Sequence, residues 1–257
     1  MFKNAKRIVI KVGTSTLTHS SGLLNLRKIE ELCKILSDLK NAGREIILVS
    51  SGAVSAGWSK MGLLHRPENI EEKQAAAAVG QCELMDLYNR NILPYGHVVA
   101  QVLLTRDAVD IPERRQNAEN TLRLLLSKGC MPIINENDSV SCDGINFGGN
   151  DTLSAYVAML VGADLLVNLS DVDGLYDKDP RKNSDARLIP VVRDLDTVMD
   201  TASGAGTERG TGGMLAKLNA ARITFDAKIP MVIANGAKPD ILYRILDGEA
   251  VGTAFLP

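Results

Sequence analysis

Two short apolar runs, Arg7 to Val12 (RIVIKV) and Glu45 to Val49 (EIILV), constrain this chain more than any other feature in it. They read as buried strands, and Asn25 to Ala42 between them sets Leu26, Ile29, Leu32, Cys33, Leu36 and Leu39 at helical spacing. Strand, helix and strand within fifty residues is the signature of an α/β protein. The alternation continues: Glu71 to Leu93 reads as helix, His97 to Leu104 as strand, Ala118 to Ser127 as helix and Met131 to Ile134 as strand. Ser139 to Gly149 suits a hairpin, and a buried helix over Thr152 to Val161 opens at Asn150-Asp151. Asp164 to Leu169 predicts a strand, Leu188 to Val192 a small one, Gly212 to Phe225 a helix and Pro230 to Ile233 a last core strand. The expectation is a three-layer αβα sandwich with a mainly parallel central sheet, built as one domain over residues 1–257.

Composition excludes several classes of function. Lys and Arg number 29 against 31 Asp and Glu, a net charge of −2 without a basic block, so a dedicated nucleic-acid or anionic-membrane surface is not expected. Cys33, Cys82, Cys130 and Cys142 make no CxxC pair, which argues against a zinc ribbon or redox motif and for a reducing cytoplasm. No apolar run has the length of a signal-peptide core or a membrane span. His19, His65 and His97 share no metal-like spacing.

In an open α/β sheet, ligands bind beyond the carboxyl ends of the strands, where loops and helix N-termini present free N–H groups. Four polar loops fall at such ends: Gly13-Thr14-Ser15, Ser50-Ser51-Gly52-Ala53, Asn135-Glu136-Asn137-Asp138 and Ser170-Asp171. Each alone is read more simply as a tight turn with a helix cap; together they outline one edge of a sheet. The chain has no GxxxxGK[ST], and Gly204 to Gly210 misses the GxGxxG spacing, so neither a P-loop nor a dinucleotide fold is indicated. The glycine-rich stretch continues as Gly210-Thr211-Gly212-Gly213-Met214 and runs into Lys217, an arrangement able to cradle phosphate. Lys11 stands inside the first apolar strand, where a cation is costly unless an anion receives it. Glu136, Asp138, Asp151, Asp171 and Asp173 fall at the same edge and could hold Mg²⁺ on a phosphate chain, or serve as caps.

Taken in order, VIKVGTSTL (Val9 to Leu17), VSSGAVSAG (Val49 to Gly57), LLTRDA (Leu103 to Ala108), PIINENDSV (Pro132 to Val140), GGNDTLSA (Gly148 to Ala155), LSDVDGLYDKDPR (Leu169 to Arg181) and GTGGMLAK (Gly210 to Lys217) resemble the glutamate 5-kinase branch of the amino-acid kinase family. The resemblance spans essentially the whole chain. It implies ATP as phosphoryl donor, Mg²⁺, and the γ-carboxylate of L-glutamate as acceptor in the first step of proline biosynthesis. By the same resemblance Lys11 and Lys217 contact the transferred phosphoryl group and Asp151 orients them, while Ser51, Gly52, Ala53, Asp138 and Asn150 hold glutamate. Ser170, Asp171, Thr211, Gly212, Gly213 and Met214 match nucleotide-binding positions, together with Lys11 and Lys217; no protein metal ligand is assigned. Also implied are feedback inhibition by proline, a homodimer or homotetramer, and functional coupling to glutamate-5-semialdehyde dehydrogenase. Many relatives carry GDND where this chain has Gly148-Gly149-Asn150-Asp151, and the end at Pro257 predicts a form without the C-terminal PUA domain. N-acetylglutamate kinase, uridylate kinase and a non-catalytic amino-acid sensor are the competing readings, against which the NEND and GTGGM segments argue.

Overall fold

The computed structural model describes residues 2–19, 21–140, 147–203 and 212–257 of the chain. Its core is an eight-stranded sheet built from β1 (Arg7–Val12), β2 (Glu45–Ser50), β3 (Val99–Leu104), β4 (Met131–Glu136), β5 (Leu165–Ser170), β6 (Val191–Val192), β7 (Met231–Asn235) and β8 (Thr253–Phe255). The strand order is β3-β4-β2-β1-β5-β7-β8-β6, and every ladder is parallel except that of β7 with β8. β1 therefore lies mid-sheet, which is why its sequence is apolar on both sides.

Helices cover both faces. The short α1 (Thr14–Leu17) follows β1, and α2 (Leu26–Asn41), capped by the Asn25 side chain on the Lys28 amide, packs behind it. Helices α3 (Ala53–Lys60) and α4 (Ile70–Ile92) lie on the same face as α2. In α4 the buried residues Ala76, Gly80, Leu84, Tyr88 and Ile92 recur every four positions and form one stripe, which meets α3 at Ala76 and Gly80 and the end of β2 at Tyr88. The opposite face carries α5 (Asp107–Asp110), α6 (Pro112–Ser127), α7 (Asn150–Val161), α8 (Asp196–Ser203) and α9 (Gly212–Asp226), while α10 (Ile241–Asp247) returns to the α2 side. Strand alternation divides the two cores: Ile8, Ile10 and Val12 face α2, whereas Val9 faces α7 and α9. Lys11 shares the Val9 side, and this parity aims its side chain at the helical layer that carries its partners.

The α/β sandwich read from the sequence is the observed architecture. Five details differ. Pro230 to Ile233 is not the last core strand, because β8 follows and pairs antiparallel with β7, between it and the edge strand β6. Strand β4 runs on through Asn135 and Glu136, which read as loop because they are polar. Helix α6 begins at Pro112, well before Ala118; a proline suits the first helical position, and the polar turns after it are exposed. Leu188 makes only an isolated bridge with Tyr176, outside the strand Val191–Val192. The sequence pattern does not predict helices α1, α3, α5, α8 and α10. Residues 141–146 of the expected hairpin, with Cys142, lie outside the described residues, as do 204–211 of the glycine-rich stretch, with Thr211. Among the described residues no helix is long and apolar enough to cross a membrane.

Candidate active site

The carboxyl ends of β1, β2, β4 and β5 converge with the N-terminal ends of α7 and α9. There Lys11 Nζ lies 2.6 Å from Asp151 Oδ1, and Lys217 Nζ lies 3.1 Å from Asp151 Oδ2. One carboxylate thus receives a different ammonium on each oxygen. All three side chains are nearly closed to solvent, at 8% for Lys11, 9% for Asp151 and 10% for Lys217. Burial pulls the Lys11 ammonium below its usual range against the attraction of Asp151, and the like charge of Lys217 acts in the same downward direction. Burial alone would raise the Asp151 carboxyl, but Lys11 and Lys217 outweigh it and hold the group below the ordinary carboxylate range. The cluster carries two cations on one anion, a net positive charge in a site from which water is largely excluded.

Two further contacts fix it. Asn168 Nδ2 donates to Asp151 Oδ1 at 2.8 Å, and the Lys217 ammonium donates to the Gly213 carbonyl at 3.3 Å. Asn168 sits on β5 in register with Lys11 of β1 and is fully buried, yet its Oδ1 has no hydrogen-bond partner. The sequence does carry a signal for it: an asparagine inside the otherwise apolar run DLLVNL is as anomalous as a lysine inside RIVIKV.

Beside the cluster is a cavity of about 210 Å³ lined by Ser51, Gly52, Ala53, Asp138 and Asn150, together with Thr14, Asn135, Glu136, Gly149 and Arg66. The five residues expected to hold the acceptor are therefore brought together. Asn150 Nδ2 lies 2.9 Å from the Ser50 carbonyl, 2.8 Å from Ser51 Oγ and 2.9 Å from Asn135 Oδ1. One amide ties the ends of β2, β4 and α7 into a single rim. Asn150 faces the cavity and the next residue, Asp151, faces the lysines, a division that the rotation of about 100° per helical residue provides. The alternation of β4 splits its last two residues: Asn135 reaches Gln81 of α4, with Nδ2 to Oε1 at 3.0 Å, while Glu136 accepts from the Phe147 amide at 3.2 Å on the other face. Burial, with the nearby charge of Glu136, pushes the Asp138 carboxyl up to about 6.

Gly149, immediately before α7, has φ 109° and ψ 167°, a conformation essentially restricted to glycine. Any side chain here would need a different local backbone. A second glycine pair acts from behind: a Cβ at Gly57 would fall 1.8 Å from the Ala76 carbonyl oxygen, and one at Gly80 would fall 1.8 Å from that of Ala53. Helices α3 and α4 therefore touch backbone to backbone, and Ala53 of the cavity rim is pressed against α4.

Of the nucleotide-binding expectations, Ser170 ends β5 with its hydroxyl 3.1 Å from Asp171 Oδ1, and Asp171 adds to the field that favours a charged Lys11. Gly212 opens α9, Gly213 is exposed with open space around its Cα, and Met214 packs partly into the core. Among the described residues no three His, Cys, Asp or Glu side chains group as metal ligands. Residues missed by the sequence reading are Asn168, Gln81, Tyr88, whose hydroxyl lies 2.7 Å from Ser50 Oγ, and Arg66.

Comparison with known proteins identifies the family. Residues 6–235 match the model of the amino acid kinase family. A glutamate 5-kinase of Clostridium perfringens is 52% identical over 259 residues, covering 99% of this chain and 96% of that protein. One of Listeria innocua is 50% identical, covering 98% of this chain and 94% of its own. One of Caldanaerobacter subterraneus is also 50% identical, with 98% of this chain covered and 68% of the relative. Among solved structures, UMP kinase of Bacillus anthracis superposes with a TM-score of 0.66 at 18% identity, over 98% of this chain and 96% of that one. An isopentenyl phosphate kinase gives 0.66 at 19%, over 97% and 99%, and both describe the fold alone. The family model and these relatives show that the chain belongs to the amino acid kinase family, in the glutamate 5-kinase branch.

Proposed function

We propose that this protein transfers the γ-phosphoryl group of ATP to the γ-carboxylate of L-glutamate, giving γ-glutamyl phosphate for proline biosynthesis. The observation that carries the reading is the buried Lys11–Asp151–Lys217 cluster opening beside a polar cavity of about 210 Å³. A carboxylate oxygen attacks the γ-phosphorus in line, the P–O bond to the β-phosphate breaks, and its electron pair leaves on ADP. A carboxylate is already a nucleophile at neutral pH, so no general base is required and the work is positioning and charge neutralisation.

In this reading Lys11 and Lys217 lie against the transferred phosphoryl group, and Asp151 keeps the two ammonium groups apart and aimed. Ser51, Gly52, Ala53, Asp138 and Asn150 hold glutamate, with Asp138 suited to its ammonium group. The nucleotide lies along Ser170, Asp171 and the first turns of α9, Gly212 to Met214, with Thr211 outside the described residues. Both oxygens of Asp151 are taken by lysines and no cage of acidic ligands is present among the described residues, so magnesium fits as part of the MgATP substrate, held mainly by phosphate oxygens and water. Residues 1–257 act as one kinase unit. A cytoplasmic location is consistent with the free thiols of Cys33, Cys82 and Cys130, of which burial pushes that of Cys33 up to about 12. Feedback inhibition by proline at the glutamate cavity, a dimer or tetramer, and hand-over of the labile product to a glutamate-5-semialdehyde dehydrogenase complete the reading.

The test offers L-glutamate, N-acetyl-L-glutamate and UMP separately with ATP and measures ADP release, with hydroxylamine trapping the acyl phosphate as a hydroxamate. ADP and hydroxamate formed with L-glutamate alone are expected. Turnover only with one of the other two acceptors overturns the proposal.

A further inference from the structure

The acceptor cavity contains two carboxylates, Glu136 and Asp138, and a single basic side chain, Arg66. Arg66 lies in the segment between α3 and α4, which begin and end at Ala53–Lys60 and Ile70–Ile92, and it precedes Pro67, which is buried. A residue before proline is held to extended conformations, and the buried ring anchors the segment, so the arginine is presented from a constrained backbone. Its side chain is exposed, and among the described residues it has no ion-pair partner. An unpaired guanidinium at the rim of an otherwise polar and acidic cavity has one natural complement, a carboxylate brought in by the ligand. The lysine cluster is joined to this cavity through the chain itself, since Asp151, which both lysines contact, follows the lining residue Asn150.

We propose that Arg66 is the residue that selects an acceptor with a second carboxylate: it pairs with the α-carboxylate of glutamate while the γ-carboxylate faces Lys11 and Lys217. Asp138 faces the ammonium group between them, so the three substituents of the acceptor meet three different charges. This assignment rests on the acceptor named under the proposed function and adds the side chain that recognises its non-reacting end. Arg66 contributes to binding and specificity, not to the phosphoryl transfer itself.

The experiment compares glutamate with 4-aminobutyrate, which keeps the reacting carboxylate and the amine but lacks the α-carboxylate. Hydroxamate formation is measured with both for wild type, Arg66→Gln and Arg66→Lys, with thermal unfolding as a control. For Arg66→Gln the kcat/KM for glutamate is expected to fall by about 10- to 100-fold through KM, the span of a charge-assisted contact. The value for 4-aminobutyrate and the KM for ATP stay within about twofold, and Arg66→Lys recovers part of the loss. An equal fall for both acceptors, or a glutamate KM within twofold of wild type, overturns the inference. Failure of the wild-type protein to turn over glutamate at all is a different result, and it removes the proposed function first.

Discussion

Replacing Asp151 with asparagine is the sharpest single perturbation of the site, because it removes one charge and almost no volume. In the folded protein that carboxylate lies 2.6 Å from one ammonium and 3.1 Å from the other. At an effective dielectric near 20 these pairs are worth about 6 and about 5 kcal/mol of gross attraction, most of it offset by desolvation of the three groups. Deleting the anion leaves two buried cations facing each other, and losing one partner of a buried pair typically costs about 3–5 kcal/mol. Lys11 is already held below its usual range by burial, so the chain's least costly response is to lower it further and bury a neutral amine. The sign follows from linkage: a lysine whose folded pKa lies below its unfolded value of 10.5 binds fewer protons when folded, so stability increases as pH rises through the window between the two. Asp151→Asn should therefore recover stability between pH 7 and pH 9 while its turnover declines, since a neutral Lys11 cannot offset phosphoryl charge. Urea unfolding and kcat would be measured at both pH values, with kcat at pH 7 expected to fall by about 100-fold or more. A variant with wild-type urea midpoint and kcat within twofold at pH 7 would refute the reasoning, as would parallel pH trends in stability and activity.

Lys11→Ala and Lys217→Ala should each lower kcat by about 100- to 1,000-fold while moving the glutamate KM only a few-fold, as read from steady-state ADP release; near-normal kcat in both would remove the lysines from the reaction. Asn168→Leu deletes the hydrogen bond to Asp151 together with a buried, unpartnered oxygen, so kcat should drop about tenfold without loss of thermal stability. A fall in stability with kcat intact would assign Asn168 to the fold instead. Because the Asp138 carboxyl is pushed up to about 6, it is neutral below that pH and anionic above it, and kcat/KM for glutamate should rise between pH 5 and pH 7. Asp138→Asn should bind glutamate weakly and lose that rise; an unchanged inflection would move the titration to another group.

How much of this was legible in the sequence depends on the type of signal. Largely apolar runs place β1, β2 and β5 within a residue or two, because strands covered on both faces leave few polar positions. Lys11 was legible for the converse reason, as a charge where none is tolerated without a partner. Its partner is legible only through the family resemblance, not from local pattern: Asp151 lies far along the chain, and the register of β1 beside β5 and the start of α7 at Asn150 bring it to the lysine. Asn135 and Glu136 were read as loop because a central strand was expected to stay apolar, yet each finds a partner on its own face. Helix α3 escaped because AVSAGWSK carries its packing in small residues rather than in a large apolar stripe. Arg66 sits in a segment with no periodicity at all, where local sequence offers no direction to a side chain.

The backbone contact between α3 and α4 gives the acceptor cavity a wall with no clearance behind it. Ala53 opens α3 and lines the cavity, and its carbonyl is backed by Gly80 of a helix that runs for 23 residues. That rim cannot retreat to admit a bulkier ligand, nor can either glycine accept a methyl group without driving the rim inward. Acceptor range is consequently governed in part by positions that never meet the acceptor. A search for variants that accept larger carboxylates therefore gains nothing at the small residues of the α3–α4 crossing.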